Sequence, residues 1–350
     1  MDFYGILREH AARYPEMRIN DLLKLAFQSG FGCGHFAERG AALARLKEEY
    51  ASCGHGGREL FVPLGEGRAR LMLDAAVLRE EELPLVARFF SAASEEDAAL
   101  GDGEEAFRQK TEDILRAARE GMFPRVPPQE AALGVREYFA RGAGPLSHSA
   151  EYRAAYRPAY RVFSRTAVRL FSAAREIGRR LSAGERLVVG IDGRAAAGKT
   201  TAARFLSSVF DADVVHCDDF FLPSAMRTEA RLAEPGGNLD RERLAGILSA
   251  RRKGALSSYP VYDCSLDRIG GERPLAGGPL LLVEGSYALH PALRSFYTLT
   301  LFLDVAPEEQ RRRILARSPG LASRFFSEWI PMEEKYAAAF AVREQSDFFL

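Results

Sequence analysis

The chain has 350 residues, room for two domains with separate cores, and a formal net charge of zero, which sets up no broad attraction to nucleic acid or an anionic membrane. Apolar residues make up 47% and charged residues 27%, the proportions of an ordinary soluble globular protein. No apolar run approaches the roughly 20 residues of a membrane span. The opening "MDFYGILREHAARYPEM" lacks a signal peptide's apolar core, and Cys33, Cys53, Cys217 and Cys264 are too dispersed for a dense disulfide framework. A cytoplasmic, reduced protein without a membrane anchor is expected.

Residues 1–145 read as a helical domain. Apolar residues recur at three and four in "DLLKLAFQSG", "RLMLDAAVLREEELPLVARFFSAA" and "EEAFRQKTEDILRAARE", with no convincing alternation of period two. "GMFPRVPPQE" and "RGAGPLS" serve as stops. Residues 146–185 form a connecting segment, with a helix expected from about Ala159 to Leu181.

From Arg186 the pattern changes. "RLVVGID", "ADVVHCDD", "GPLLLVEGS" and "LTLFLDV" are short apolar, β-branched runs separated by loop or helical stretches. Such runs suit a parallel sheet covered on both faces, so 186–350 is expected to be an α/β domain. The Gly/Pro punctuation of "SYPVYDCSLDRIGGERPLAG" suggests a hairpin-like insertion.

Gly193, Gly198, Lys199 and Thr200 fit G-x-x-x-x-G-K-[ST], with a strand leading in and a helix leading out. Lysine is scarce here (Lys24, Lys47, Lys110, Lys199, Lys253 and Lys335), so one inside a motif is unlikely to be filler. Backbone N–H groups of such a loop converge with a helix N-terminus on phosphate oxygens. Gly193, Ala195, Ala196, Ala197, Gly198, Lys199, Thr200 and Thr201 would form the nucleotide cradle, with Lys199 reaching the β- and γ-phosphates and Thr200 on Mg²⁺. The acids of "HCDDFF", Asp218 and Asp219, could supply a base for an acceptor hydroxyl or cap a helix. Glu284, ending "LLLVE", could hold Mg²⁺ or its water. Arg313 and Arg317, four apart in "APEEQRRRILARS", could close over phosphates as a lid or belong to a solvated face.

Taken together, residues 186–350 resemble the uridine kinase and phosphoribulokinase family of P-loop kinases. The carrying motifs are "GIDGRAAAGKTT", "HCDDFFLP", "GGNLDRERL", "YPVYDCS", "VEGSYALHP", the arginine helix and "SEWIPMEEKYAAAF". The resemblance implies a P-loop kinase fold, ATP (or GTP) with Mg²⁺, and a small-molecule acceptor, first a nucleoside. Asp218 matches the family's base for the 5′-hydroxyl and Glu284 the metal partner, with Asp218 itself within reach of the ion. Asp219 fills the variable slot and Phe220 follows; Tyr262 would lie against base or sugar, and Asp240 falls in the region that meets the ribose hydroxyls. Nucleoside-specific members commonly carry a histidine shortly after "YDF", where "YDCSLDRI" offers Asp267. Uridine or cytidine is therefore one acceptor, and a pantothenate- or sugar-phosphate-like alcohol another. A nucleotide-dependent regulatory or RNA-associated protein is a reading from a different class.

Two features of the first half stand outside this resemblance. Cys33, His35, Cys53 and His55 lie in two Cys-Gly-His triplets, whose C-x-H spacing is not that of common zinc modules. "AEYRAAYRPAYRVF" repeats Tyr-Arg at 152/153, 156/157 and 160/161, either a packing surface or an aromatic-basic contact for nucleic acid, interrupted by Pro158.

Overall fold

The computed structural model describes residues 2–32, 39–100 and 103–350. The chain divides into two compact units, Met1–Arg169 and Leu170–Leu350.

The first unit contains helices α1 (Phe3–Arg13), α2 (Ile19–Phe31) and α3 (Arg39–Ala51), strands β1 (Phe61–Gly65) and β2 (Arg68–Met72), and then helices α4 (Leu83–Leu100), α5 (Glu104–Arg119), α6 (Pro128–Ala140) and α7 (Ala150–Tyr156). Strand β3 (Tyr160–Phe163) completes it, and α8 (Arg165–Ser182) runs across the division. Leu22, Leu23, Leu25 and Ala26 of α2 are all buried, in one core with Leu7, Phe107, Ile114 and Tyr152.

Helices dominate this unit, but it also holds a three-stranded antiparallel sheet in the order β1-β2-β3. This fits the expected mostly helical domain, and the small sheet is an element that the absence of period-two alternation did not reveal. Glu66 and Gly67, at φ 53° and 82°, join β1 to β2, as a two-residue hairpin requires. β2 is buried along nearly its whole length, so it shows no alternation to read. The helix expected from Ala159 also starts later. Arg157 ends α7 at φ 43°, Pro158 follows, and "YRVF" pairs with β2 from Ala69↔Phe163 to Met72↔Tyr160. An available sheet edge and β-branched, aromatic residues favour strand over helix at these four positions.

The second unit is the α/β domain the apolar runs imply. Its five-stranded parallel sheet has the order β10-β9-β4-β8-β5, with β4 (Leu187–Gly193), β5 (Asp213–His216), β8 (Leu280–Glu284), β9 (Leu299–Leu303) and a short edge strand β10 (Phe348–Phe349). β4, β8 and β9 are buried throughout. Helices flank the sheet: α9 (Lys199–Phe210), α10 (Glu229–Ala233), α11 (Arg241–Arg252), α12 (Pro291–Arg294), α13 (Pro307–Arg317), α14 (Ala322–Arg324) and α15 (Ile330–Phe340). β6 (Ser258–Asp263) and β7 (Arg268–Pro274) form the antiparallel hairpin between α11 and β8. Among the described residues no helix is long and apolar enough to cross a membrane.

Candidate active site

The carboxyl ends of β4, β8 and β5 lie side by side, and the candidate residues gather there. β4 ends at Gly193, whose φ is 149° and where a Cβ would fall 2.1 Å from the Leu303 carbonyl oxygen. Only glycine lets the chain pass β9 at this point. The loop then turns into α9 through Gly198 at φ 96°, which offers no side chain to cap the helix N-terminus. Lys199 arches back along the loop, donating from Nζ to the carbonyls of Gly193 (2.7 Å) and Arg194 (3.1 Å). Those bonds hold an ammonium over the cradle formed by the loop N–H groups.

Thr200 Oγ1 donates toward both oxygens of Glu284, at 3.2 and 3.3 Å. Glu284 is buried at the end of β8 and also receives His216 Nδ1 at 2.6 Å from the end of β5. Asp218 follows in the tight turn Cys217–Phe220, with its side chain open to the cleft but crowded by protein. That crowding and the neighbouring Glu284 carboxylate push its carboxyl above the usual aspartate range, against the pull of Lys199 and His216. Thr200, Glu284 and Asp218 are hard oxygen donors on one wall of a cleft of about 560 Å³. They fit Mg²⁺, which takes one or two carboxylates and otherwise keeps waters and phosphate oxygens. Among the described residues no group of three or more His, Cys, Asp or Glu side chains forms a denser metal site.

The structure sorts the other sequence candidates. Ala195, Ala196, Gly198 and Thr201 line the cleft with Lys199 and Thr200, while Ala197 is buried within the loop. Arg317 lines the cleft. Arg313 instead braces the loop from outside, donating to the Ala196 carbonyl (3.0 Å) while pairing with Glu309 (2.7 Å). Tyr262 lines the cleft and donates to Asp267 (2.9 Å), which also accepts from the Ser224 N–H (2.9 Å).

Asp219, Phe220 and Asp240, expected at the substrate, turn into the scaffold. The Asp219 carboxylate accepts from Tyr259 (2.8 Å) and pairs with Arg273 (3.2 Å). Phe220 is buried, stacked on Tyr259 and under the Arg243 guanidinium, and its neighbour Phe221 faces the cleft. Asp240 caps α11 by accepting from Arg243 N (3.0 Å) and pairing with its guanidinium (3.1 Å). Cys53 donates to the Glu49 carbonyl and His55 packs on Tyr50, while Cys33 and His35 lie outside the described residues.

Several further residues at the site have no role that motif spacing assigns. Glu333 on α15 accepts from the Ala195 N–H (2.8 Å) and the Ser286 hydroxyl (2.6 Å), so a carboxylate stands against the phosphate loop. Buried Asp192, just before Gly193, takes donors from Gly193 N (2.7 Å), Leu289 N (3.0 Å) and Tyr336 OH (2.9 Å) and ties the loop to α15. Its position beside the motif was the available clue. Arg227, Arg324 and Trp329 also line the cleft, with Arg227 Nη2 donating to Tyr262 OH at 2.9 Å.

No family model matches the chain. A pantothenate kinase of Enterococcus faecalis is 27% identical over 181 residues, covering 46% of this chain. The chain spans 58% of that curated relative's length. The likeness is to P-loop kinases and extends over about half the chain. Among solved structures, a possible uridine kinase from Bacillus stearothermophilus is 23% identical and covers 52% of this chain and 98% of its own, with a TM-score of 0.38. A putative fructose transport system kinase from Silicibacter sp. is 18% identical with the same coverages and a TM-score of 0.41.

Proposed function

We propose that the chain transfers the terminal phosphoryl group of ATP, or GTP, to a hydroxyl of a small molecule. The observation that carries this reading is the convergence of Lys199 and Thr200 with Glu284 and Asp218 at three adjacent strand ends. A phosphate cradle alone would serve a switch, whereas a crowded carboxylate open to the same cleft supplies a proton acceptor for an organic hydroxyl.

In this reading the loop N–H groups and Lys199 bind and orient the polyphosphate, and Thr200, Glu284 and Asp218 would hold Mg²⁺. The ion would neutralise charge on the phosphate oxygens. Asp218 takes the proton from the acceptor hydroxyl as it attacks in line, and its raised pKa makes it the stronger base once ionised. Arg317 adds charge stabilisation from α13, while Arg313 keeps the loop in shape.

The 5′-hydroxyl of uridine or cytidine is the first acceptor to test, with Tyr262 against base or sugar. Arg227 and Arg324 in the cleft lining favour a second reading, an alcohol that carries its own carboxylate or phosphate. The test is Mg²⁺-dependent ATP consumption with uridine, cytidine, pantothenate and ribulose 5-phosphate, run beside Asp218→Asn. Acceptor-stimulated turnover that the variant abolishes supports phosphoryl transfer. ATP binding with no acceptor effect would overturn it.

A further inference from the structure

α15 reaches into the candidate active site with a carboxylate that the proposed chemistry leaves without a task. Glu333 lines the cleft together with Ala195, Lys199, Thr200 and Ser286. Its Oε2 accepts from the Ala195 N–H at 2.8 Å, and its Oε1 accepts from the Ser286 hydroxyl at 2.6 Å. Ala195 belongs to the phosphate loop after β4, and Ser286 follows Glu284 in the turn after β8. β4 and β8 are neighbours in the sheet, so one acid gathers donors from two adjacent strand ends.

Those donors are of the kind that a phosphate oxygen takes. Backbone N–H groups of a phosphate loop point at phosphate oxygens, and a hydroxyl donates to a phosphate as it does to a carboxylate. An N–H and an O–H each carry one hydrogen, so carboxylate and phosphate cannot both hold them at full strength. Asp218 and Glu284 already make the cleft acidic, and a further carboxylate beside the loop opposes a polyphosphate.

Its neighbours on α15 are fastened to the loop by stronger ties. Glu334 pairs with Arg194 at 2.7 Å, and Tyr336 OH donates to buried Asp192 at 2.9 Å. Arg194 feels the Glu333 charge, but its guanidinium is spent on Glu334, Asp304 and the Val305 carbonyl. Among the described residues Glu333 forms no ion pair, and its side chain is half-buried. A carboxylate held by two neutral donors can rotate off the loop while the helix stays in place.

We propose, on the reading of the loop as a nucleotide cradle, that Glu333 competes with the terminal phosphate of ATP for Ala195 N–H and Ser286 Oγ–H. Ser286 is then a direct ligand of the phosphoryl group that is transferred, and Glu333 sets how tightly the triphosphate is held. ADP ends one phosphate short and leaves both donors with Glu333. After transfer the carboxylate takes the place of the phosphate that has left.

The experiment is calorimetric titration of the full chain with ATP and, separately, ADP, both with Mg²⁺ and without acceptor. Glu333→Gln removes the competing charge, so ATP should bind about fivefold more tightly or better, while ADP affinity moves by less than about twofold. Glu333→Ala removes the acceptor as well and should act in the same direction, so it decides should the first variant fold poorly. In the Glu333→Ala background, Ser286→Ala should weaken ATP by about tenfold, the worth of one hydrogen bond to a charged group, and leave ADP unchanged. Ser286→Thr, which keeps the hydroxyl, should retain most of the affinity. ATP binding that the Glu333 variants leave unchanged or weaken overturns the proposal, because the carboxylate would then shape the loop rather than compete for it. An equal gain for ADP also overturns it. A wild-type chain that binds neither nucleotide overturns the nucleotide reading and this inference together, so the two failures are told apart.

Discussion

His216 and Glu284 stand opposite each other at the ends of β5 and β8, and the imidazole Nδ1 lies 2.6 Å from the carboxylate Oε1. The histidine fixes the direction of the carboxylate that also receives Thr200. Partners that orient a metal-binding carboxylate typically matter by about 10- to 100-fold in metal affinity or activity. His216→Ala is therefore expected to raise the Mg²⁺ concentration needed for half-maximal ATP consumption by about tenfold or more. An unchanged Mg²⁺ titration would show that Glu284 holds its place without the histidine.

In the proposed reaction Asp218 is the group on which phosphoryl transfer turns. Asp218→Asn keeps size and hydrogen bonding but removes the base, so kcat should fall by about 10²- to 10⁴-fold while nucleotide affinity stays near wild type. The acid limb of the pH profile gives a second measure. The base works when ionised, and crowding with the Glu284 charge raises its pKa, so kcat/KM should climb with pH through a value above the ordinary aspartate range. A rate already flat from pH 4 upward would remove Asp218 from that role.

Arg227 separates the two acceptor classes. Its guanidinium reaches Tyr262 OH at 2.9 Å and the Leu222 carbonyl at 2.6 Å, in the cleft that Asp218 also lines. For an acceptor bearing a carboxylate or phosphate, Arg227→Gln should raise the acceptor KM by about tenfold, the worth of one charge-assisted hydrogen bond, with little change in kcat. For uridine the same change should move KM by less than about threefold, since no ionic contact is lost. An equal effect on both classes would mean that Arg227 acts through the position of Tyr262.

The central strands β4, β8 and β9 of the second unit were legible because each is buried on both faces and therefore reads as an unbroken apolar run. The first unit's sheet was hidden for the opposite reason. β2 spans five residues, mixes Arg68 and Arg70 with apolar neighbours, and buries nearly all of them, so neither periodicity nor composition marks it. Its one signal was "GEG", the hairpin turn at Gly65–Gly67. In the candidate site, Lys199, Thr200, Asp218 and Glu284 were legible because motif spacing and strand ends fix where they emerge. Glu333 was not, since its bond to Ala195 joins residues 138 apart. Phe220 was expected at the substrate, but the tight turn Cys217–Phe220 sends its ring into the core and that of Phe221 to the cleft. Asp219 and Asp240 show how an acid beside a motif can be recruited by Tyr259, Arg273 and Arg243 before any ligand reaches it.

The first unit should weaken on mild acidification. Burial brings His148 down to about 4 and His10 to about 3, from an ordinary 6.5, despite the Asp21 carboxylate beside His148. Both rings are neutral in the folded chain, while in the unfolded chain they take up protons near pH 6.5. Between these limits the unfolded state binds more protons, so stability rises with pH across the window and is complete above it. Lowering the pH from about 6.5 to 4 should cost a few kcal/mol, and more of the His10 contribution is lost below 4. Protection of first-unit amides against hydrogen exchange, corrected for the intrinsic pH dependence, measures this directly. His148→Gln, which can still donate to Asp21, should reduce the slope between about pH 4 and 6.5 to the share that His10 contributes. An identical slope in the variant would assign the acid sensitivity to other groups.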